Sequence, residues 1–183
     1  MLYGLDGQTG KLLWKHDLGQ PATTKLSVIG NSLYIGNSTN RIFRISTDDG
    51  HVQSELSVPA SPTGRILADA PALYVFLEDR GVQGGYLIST DVNLSRIHWT
   101  HRSDRAWSSE WPRLWDGLLL AGNCRGELDA FRISDGALQW SDNLKGCLHS
   151  IGTDGESEQI YIGVQEGTVY DYSPPSKGSR ITK

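Results

Sequence analysis

The residues able to do chemistry are few and widely spaced. Two histidines stand three apart in His98-Trp99-Thr100-His101. On a strand an odd spacing sends them to opposite faces, so they do not share a metal ion and read as polar residues of an edge strand. His16, His51 and His149 are isolated, no Ser–His–Asp order can be defended, and a Gly-x-Ser-x-Gly turn is missing. Asp48-Asp49 falls where a turn should join two strands, the usual place for solvated carboxylates, and no acidic cluster has the spacing of a calcium loop. Gly81-Val82-Gln83-Gly84-Gly85 is followed by neither Lys-Ser/Thr nor a helix, so it reads as a loop and not a phosphate cradle. Cys124 and Cys147 are 23 residues apart. Two small buried thiols are the expected state, and one disulfide in an oxidising compartment is the alternative. These residues define no catalytic set and no metal site.

One segment has the composition of a contact surface. Trp107-Ser108-Ser109-Glu110-Trp111-Pro112-Arg113-Leu114-Trp115 holds three tryptophans, with Arg102 and Arg105 close by. Tryptophan and arginine are the residues most enriched at binding hot spots. Alternation along a strand places Trp111, Arg113 and Trp115 on one face. The candidate partner surface is therefore Trp107, Trp111, Arg113 and Trp115. Packing between neighbouring sheets is the competing use of the same side chains. A contact role for Trp107 predicts that Trp107→Ala weakens partner binding and leaves the melting temperature unchanged.

The elements that must carry these residues are strands. The chain has 183 residues, 21 of them glycine and six tryptophan, with a single methionine. That balance suits a turn-rich β protein. The longest apolar stretch, Leu118-Leu119-Leu120-Ala121-Gly122, is strand-sized, far short of the ~20 residues a membrane-spanning helix needs. The net charge is −4 and the basic residues form no stripe. Nucleic acid and anionic membrane surfaces are thus not expected as partners. Met1 leads straight into Leu2-Tyr3-Gly4-Leu5-Asp6, without the charged and apolar segments of a signal peptide.

Two marker series reveal a repeat. Residues Leu2 to Trp14, Ile42 to Ser54 and Leu128 to Trp140 share one frame, with a glycine four residues before the closing position. Trp99 closes a fourth segment, and positions 14, 54, 99 and 140 are 40, 45 and 41 apart. Short apolar strands around Tyr34, Tyr74, Leu119 and Tyr161 keep step, at 40, 45 and 42. A period of this length, read as four short strands per unit, is the signature of a β-propeller blade. The expected layout is a partial blade over 1–19, blades over about 20–58, 59–103 and 104–144, an incomplete blade over 145–173 and a polar tail over 176–183. It contains seventeen strands. A piece of a larger ring is expected in preference to a closed four-bladed one, and its open edges offer a route to self-association.

The segment Leu2-Tyr3-Gly4-Leu5-Asp6-Gly7-Gln8-Thr9-Gly10-Lys11-Leu12-Leu13-Trp14 resembles the blade motif of the PQQ-like, or quinoprotein-type, β-propeller repeat superfamily, and Ser32-Leu33-Tyr34-Ile35-Gly36-Asn37 is similar to the strand preceding it. Other copies depart from the motif, with Ser46 and Arg132 for the Asp, Asp49 and Asp135 for the Thr, and Ser54 for the Trp. The resemblance implies an all-β propeller of four-stranded antiparallel blades. It also implies one of two activities. One is a non-catalytic scaffold of the BamB-like branch, with a protein partner and no cofactor. The other is part of a dehydrogenase that oxidises alcohols or sugars with pyrroloquinoline quinone and calcium. That enzyme class carries an adjacent Cys-Cys pair, which Cys124 and Cys147 do not form. The scaffold is the expected function, and members of both classes are periplasmic or extracellular.

Overall fold

The computed structural model describes residues 1–79, 84–104, 107, 112–153 and 159–173. Among them are eighteen strands and no helix. β1 (Leu2–Leu5) and β2 (Leu12–His16) form a hairpin. β3 (Thr24–Lys25) is a short extra strand. β4 (Ser27–Ile29), β5 (Ser32–Asn37), β6 (Arg41–Ser46) and β7 (Val52–Ser57) make one sheet. β8 (Ser61–Asp69), β9 (Ala72–Glu78), β10 (Gly85–Asp91) and β11 (Ile97–Ser103) make the next. β12 (Arg113–Trp115), β13 (Leu118–Gly122), β14 (Glu127–Arg132) and β15 (Leu138–Asn143) follow, then β16 (Leu148–Thr153), β17 (Ile160–Val164) and β18 (Val169–Tyr172). Within each sheet, consecutive strands pair antiparallel in chain order.

The eighteenth strand is β3, and it exceeds the seventeen expected. Its cause is a break in β8. The β8–β9 register slips between Thr63 and Leu67, around Gly64 with φ +67. Gly64 and Arg65 then pair in parallel with Thr24 and Lys25, satisfying backbone groups that β9 no longer reaches.

Alternation explains why these strands look apolar at consecutive positions. On β5, Leu33 and Ile35 face the β1–β2 hairpin, whereas Tyr34 faces the β8–β11 sheet. On β9, Leu73, Val75 and Leu77 face back, and Tyr74 and Phe76 face forward. On β13, Leu119 and Ala121 face back, and Leu120 faces forward. Each core cluster thus lies between two successive sheets, and every internal sheet is covered on both faces. Leu119 points opposite to Tyr34 and Tyr74, so the third marker of that series is one residue out of phase with the faces it marks. Contacts between successive sheets run through their first strands, β4 to β8, β8 to β12 and β12 to β16. These strands gather around a common axis.

A repeated key locks the β1–β2 hairpin to the β4–β7 sheet and the β8–β11 sheet to the β12–β15 sheet. The Trp14 indole donates to the Thr47 carbonyl oxygen at 2.8 Å, and Trp99 donates to Ile133 at 3.0 Å. Both indoles lie over the turn glycine three residues further on. A Cβ on Gly50 would meet Trp14 at 2.5 Å, and one on Gly136 would meet Trp99 at 2.4 Å. Both glycines hold positive φ, at +71 and +72, so a side chain is excluded twice over. Where Ser54 replaces the tryptophan, the key is rebuilt. The fully buried Tyr34 phenol donates to the carbonyl of Val92 at 2.7 Å. Val92 is the equivalent of Thr47 and Ile133, since all three donate their N–H to the first turn of their own sheet. The wedge is filled by the buried Leu94, which takes positive φ in that turn.

The cysteines depart from expectation. Cys124 and Cys147 are joined as a disulfide, and neither is a buried thiol. The bond ties the β13–β14 turn to the segment entering β16, so it links two sheets.

Candidate functional site

Two of the clefts among the described residues hold the histidine, tryptophan and arginine candidates. The first, of about 540 Å³, opens between the β8–β11 and β12–β15 sheets. Its walls include His101, Trp107, Asp129 and Phe131. His101 stands on β11 on the same face as Trp99, opposite to His98, as the odd spacing requires. His98 instead lies 3.8 Å from Asp91. The His101 ring packs on Phe131 at 4.8 Å, and Trp107 meets Phe131 edge-on at 5.4 Å and Phe76 at 5.7 Å. The Trp107 indole N–H donates to Asp129 Oδ2 at 2.9 Å, and the Ser141 hydroxyl donates to Oδ1. Burial pushes the His101 pKa below its usual value, with Asp129 and the Gly136 backbone opposing that shift only in part.

The Ser141 proton is directed at the carboxylate, not at the imidazole, which is the reverse of what activates a serine. What the cleft offers is aromatic surface around one fixed carboxylate. Asp129 is marked in the sequence by its place in the repeat. It sits at the repeat position filled by Tyr3 and Phe43, an acid where the frame has aromatics.

The second cleft, about 390 Å³, lies at the axis. Arg65 of β8 and Arg113 of β12 both line it, with Ile151, Tyr161 and Val169. The break at Gly64 re-aims Arg65 into solvent. Arg113 is exposed, and its Nε lies 3.4 Å from Thr153 Oγ1. Nothing in the alternation around Gly64-Arg65 reveals this partner, because the bulge alone brings Arg65 there.

The candidate surface is thus divided. Trp107 belongs to the first cleft and Arg113 to the second. Trp115 shares the Arg113 face of β12 and packs against the core between the last two sheets. Trp111 lies outside the described residues. Arg113 and Trp115 share a face, as alternation along β12 requires, and Trp107 lies in the other cleft.

Successive antiparallel sheets, stacked face to face, define a β-propeller built of PQQ-like repeats. A family model described as outer membrane protein assembly factor BamB matches residues 1–179, and the chain belongs to that family. Its backbone is similar to the crystal structure of BamB from Moraxella catarrhalis, with a TM-score of 0.71 at 15% identity, over 91% of this chain and 51% of that one. The computationally designed Ika4 protein superposes with a TM-score of 0.71 at 13% identity, over 90% of this chain and 99% of its own. The designed Ika8 protein gives 0.70 at 13% identity, over 88% and 49%. At these identities the likeness is one of fold. The chain spans about half the length of BamB and of Ika8. No curated protein sequence matches it.

Proposed function

We propose that this chain is a non-catalytic interaction scaffold whose protein partner is received at the axial cleft. The observation that carries the reading is the pairing of Arg65 and Arg113, from the first strands of two sheets, beside the exposed Tyr161 and Val169. Arginine next to apolar surface is the composition of a binding centre. In a chain of net charge −4 it favours a partner segment bearing carboxylates. Trp115 packs on the core between the last two sheets, and Trp107 packs on Phe76 and Phe131, so neither is placed in the proposed contact.

The dehydrogenase alternative requires a calcium ion and quinone at the axis. The residues there do not fit them. Two guanidinium groups repel a divalent cation, and the described residues contain no cluster of acids, cysteines and histidines suited to a metal. The disulfide between Cys124 and Cys147 joins two surface segments and does not lie at the axial cleft. It supports an oxidising compartment, in keeping with the periplasmic or extracellular setting that the family resemblance implies.

Calorimetric titration with pyrroloquinoline quinone and Ca²⁺, together with dye-linked oxidation of alcohols and sugars, tests the reading. The scaffold reading predicts no saturable quinone binding and no turnover. Stoichiometric binding with substrate-dependent dye reduction would overturn it.

A further inference from the structure

The pattern Asn-x-Ser/Thr, on which a transferase carries an oligosaccharide to the asparagine amide, occurs twice in the chain, as Asn37-Ser38-Thr39 and Asn93-Leu94-Ser95. The fold treats the two asparagines in opposite ways. Asn37 ends β5 and is 2% exposed. Its Nδ2 donates to the Leu18 carbonyl, and its Oδ1 accepts from the backbone N–H and the hydroxyl of Thr39. A sugar on that nitrogen would fall in packed space.

Asn93 is exposed, in the turn between β10 and β11. Arg44 Nη1 donates to its side chain at 2.6 Å. A guanidinium only donates, so the atom it meets is Oδ1. Nδ2, the atom a glycan bonds, has no hydrogen-bond partner among the described residues. Substitution at Nδ2 therefore leaves the Arg44 contact in place. Asp91 stands two residues ahead of Asn93, where Ile35 precedes Asn37. An acid at that place is a further mark of acceptors used by transferases of a bacterial periplasm. In the folded turn Asp91 accepts from the Asn93 N–H at 2.8 Å and from the Ser95 hydroxyl, and Leu94 is buried. A transferase needs the acid and the hydroxyl for itself, so it must meet this segment before the turn closes. Closure then turns the modified side chain outward.

We propose that Asn93 is an N-glycosylation acceptor, modified during export and before the β10–β11 turn closes. The co-reactant is an oligosaccharide joined through pyrophosphate to a membrane lipid. Asn93 Nδ2 bonds to the anomeric carbon, and the bond from that carbon to the pyrophosphate oxygen breaks. The lipid pyrophosphate leaves with the electron pair, and one amide proton passes to a carboxylate of the transferase. This needs the exported setting inferred from the disulfide, and it involves neither cleft.

The full chain, exported into the periplasm of a bacterial host that carries an oligosaccharyltransferase and its lipid-linked donor, is digested and its peptides weighed by mass spectrometry. One oligosaccharide is expected on the Asn93 peptide and none on Asn37. It is expected to vanish in Asn93→Gln and in Ser95→Ala. The glycosylated chain is expected to melt no lower than the unmodified one, and purified folded chain offered the same transferase is expected to stay unmodified. An exported chain without sugar on Asn93 overturns the proposal. So does modification of the folded chain, or a glycosylated chain that melts lower.

Discussion

Gly10, Gly50 and Gly136 hold nearly the same φ and differ in what lies over them, so they separate two physical effects. Gly10→Ala suffers only the backbone cost of a left-handed alanine, about 1 kcal/mol. Gly136→Ala must also displace the Trp99 indole, and its expected loss is about 3 kcal/mol by urea denaturation. Equal losses at the two sites would show that the indole does not lock the sheets. Trp107 poses the complementary question. Its ring packs on Phe76 and Phe131 and its N–H holds Asp129, so Trp107→Ala is expected to lower the melting temperature, by about 3 kcal/mol of stability. His101 adds a pH dependence. Its pKa is depressed in the folded state by burial, so the unfolded chain takes up the proton first as pH falls below the ordinary value of 6.5. Stability is then full above that pH and declines toward the lower folded pKa. Denaturation midpoints measured between pH 7 and pH 5 are expected to fall, and the fall to shrink in His101→Gln.

At the scale of the strand and its neighbours, much of the stack was legible because the chain repeats itself. The frame from Leu2 to Trp14 places the turn glycine and the closing tryptophan, and Trp14 and Trp99 meet Gly50 and Gly136 in the same way. The departures were legible as departures but not as solutions. Ser54 announces a missing indole, yet nothing in its neighbourhood points to Tyr34, twenty residues earlier, as the group that reaches the Val92 carbonyl instead. Arg65 was hidden for a similar reason, since a bulge changes direction without changing composition. The disulfide was undecidable from spacing alone, because proximity of Cys124 and Cys147 depends on how two sheets stack. It closes a separation of 23 residues across that junction, which corresponds to about 3 kcal/mol of restricted unfolded chain. Reductant, or Cys147→Ser, is expected to lower the melting temperature accordingly. An unchanged transition would mean that the link contributes nothing to holding the last sheet.

For the molecule as a whole, the fold and the family follow from sequence and structure together, whereas the partner depends on surface chemistry that the repeat does not encode. The axial cleft is the place where that chemistry departs from the chain's average, with two arginines set among apolar side chains in an acidic protein. The aromatic cleft at His101 and Trp107 is, by contrast, largely occupied by its own packing. A photo-reactive amino acid introduced at position 150, on the wall of the cleft beside Arg113, activated in cells that express the chain, reads out contact at the axis directly. The account predicts one discrete protein adduct, lost in Arg65→Glu and retained in a variant altered only on the β1–β2 face, such as Leu5→Glu. Absence of any adduct, or an adduct that survives Arg65→Glu, would contradict the assignment of the axial cleft as the partner site.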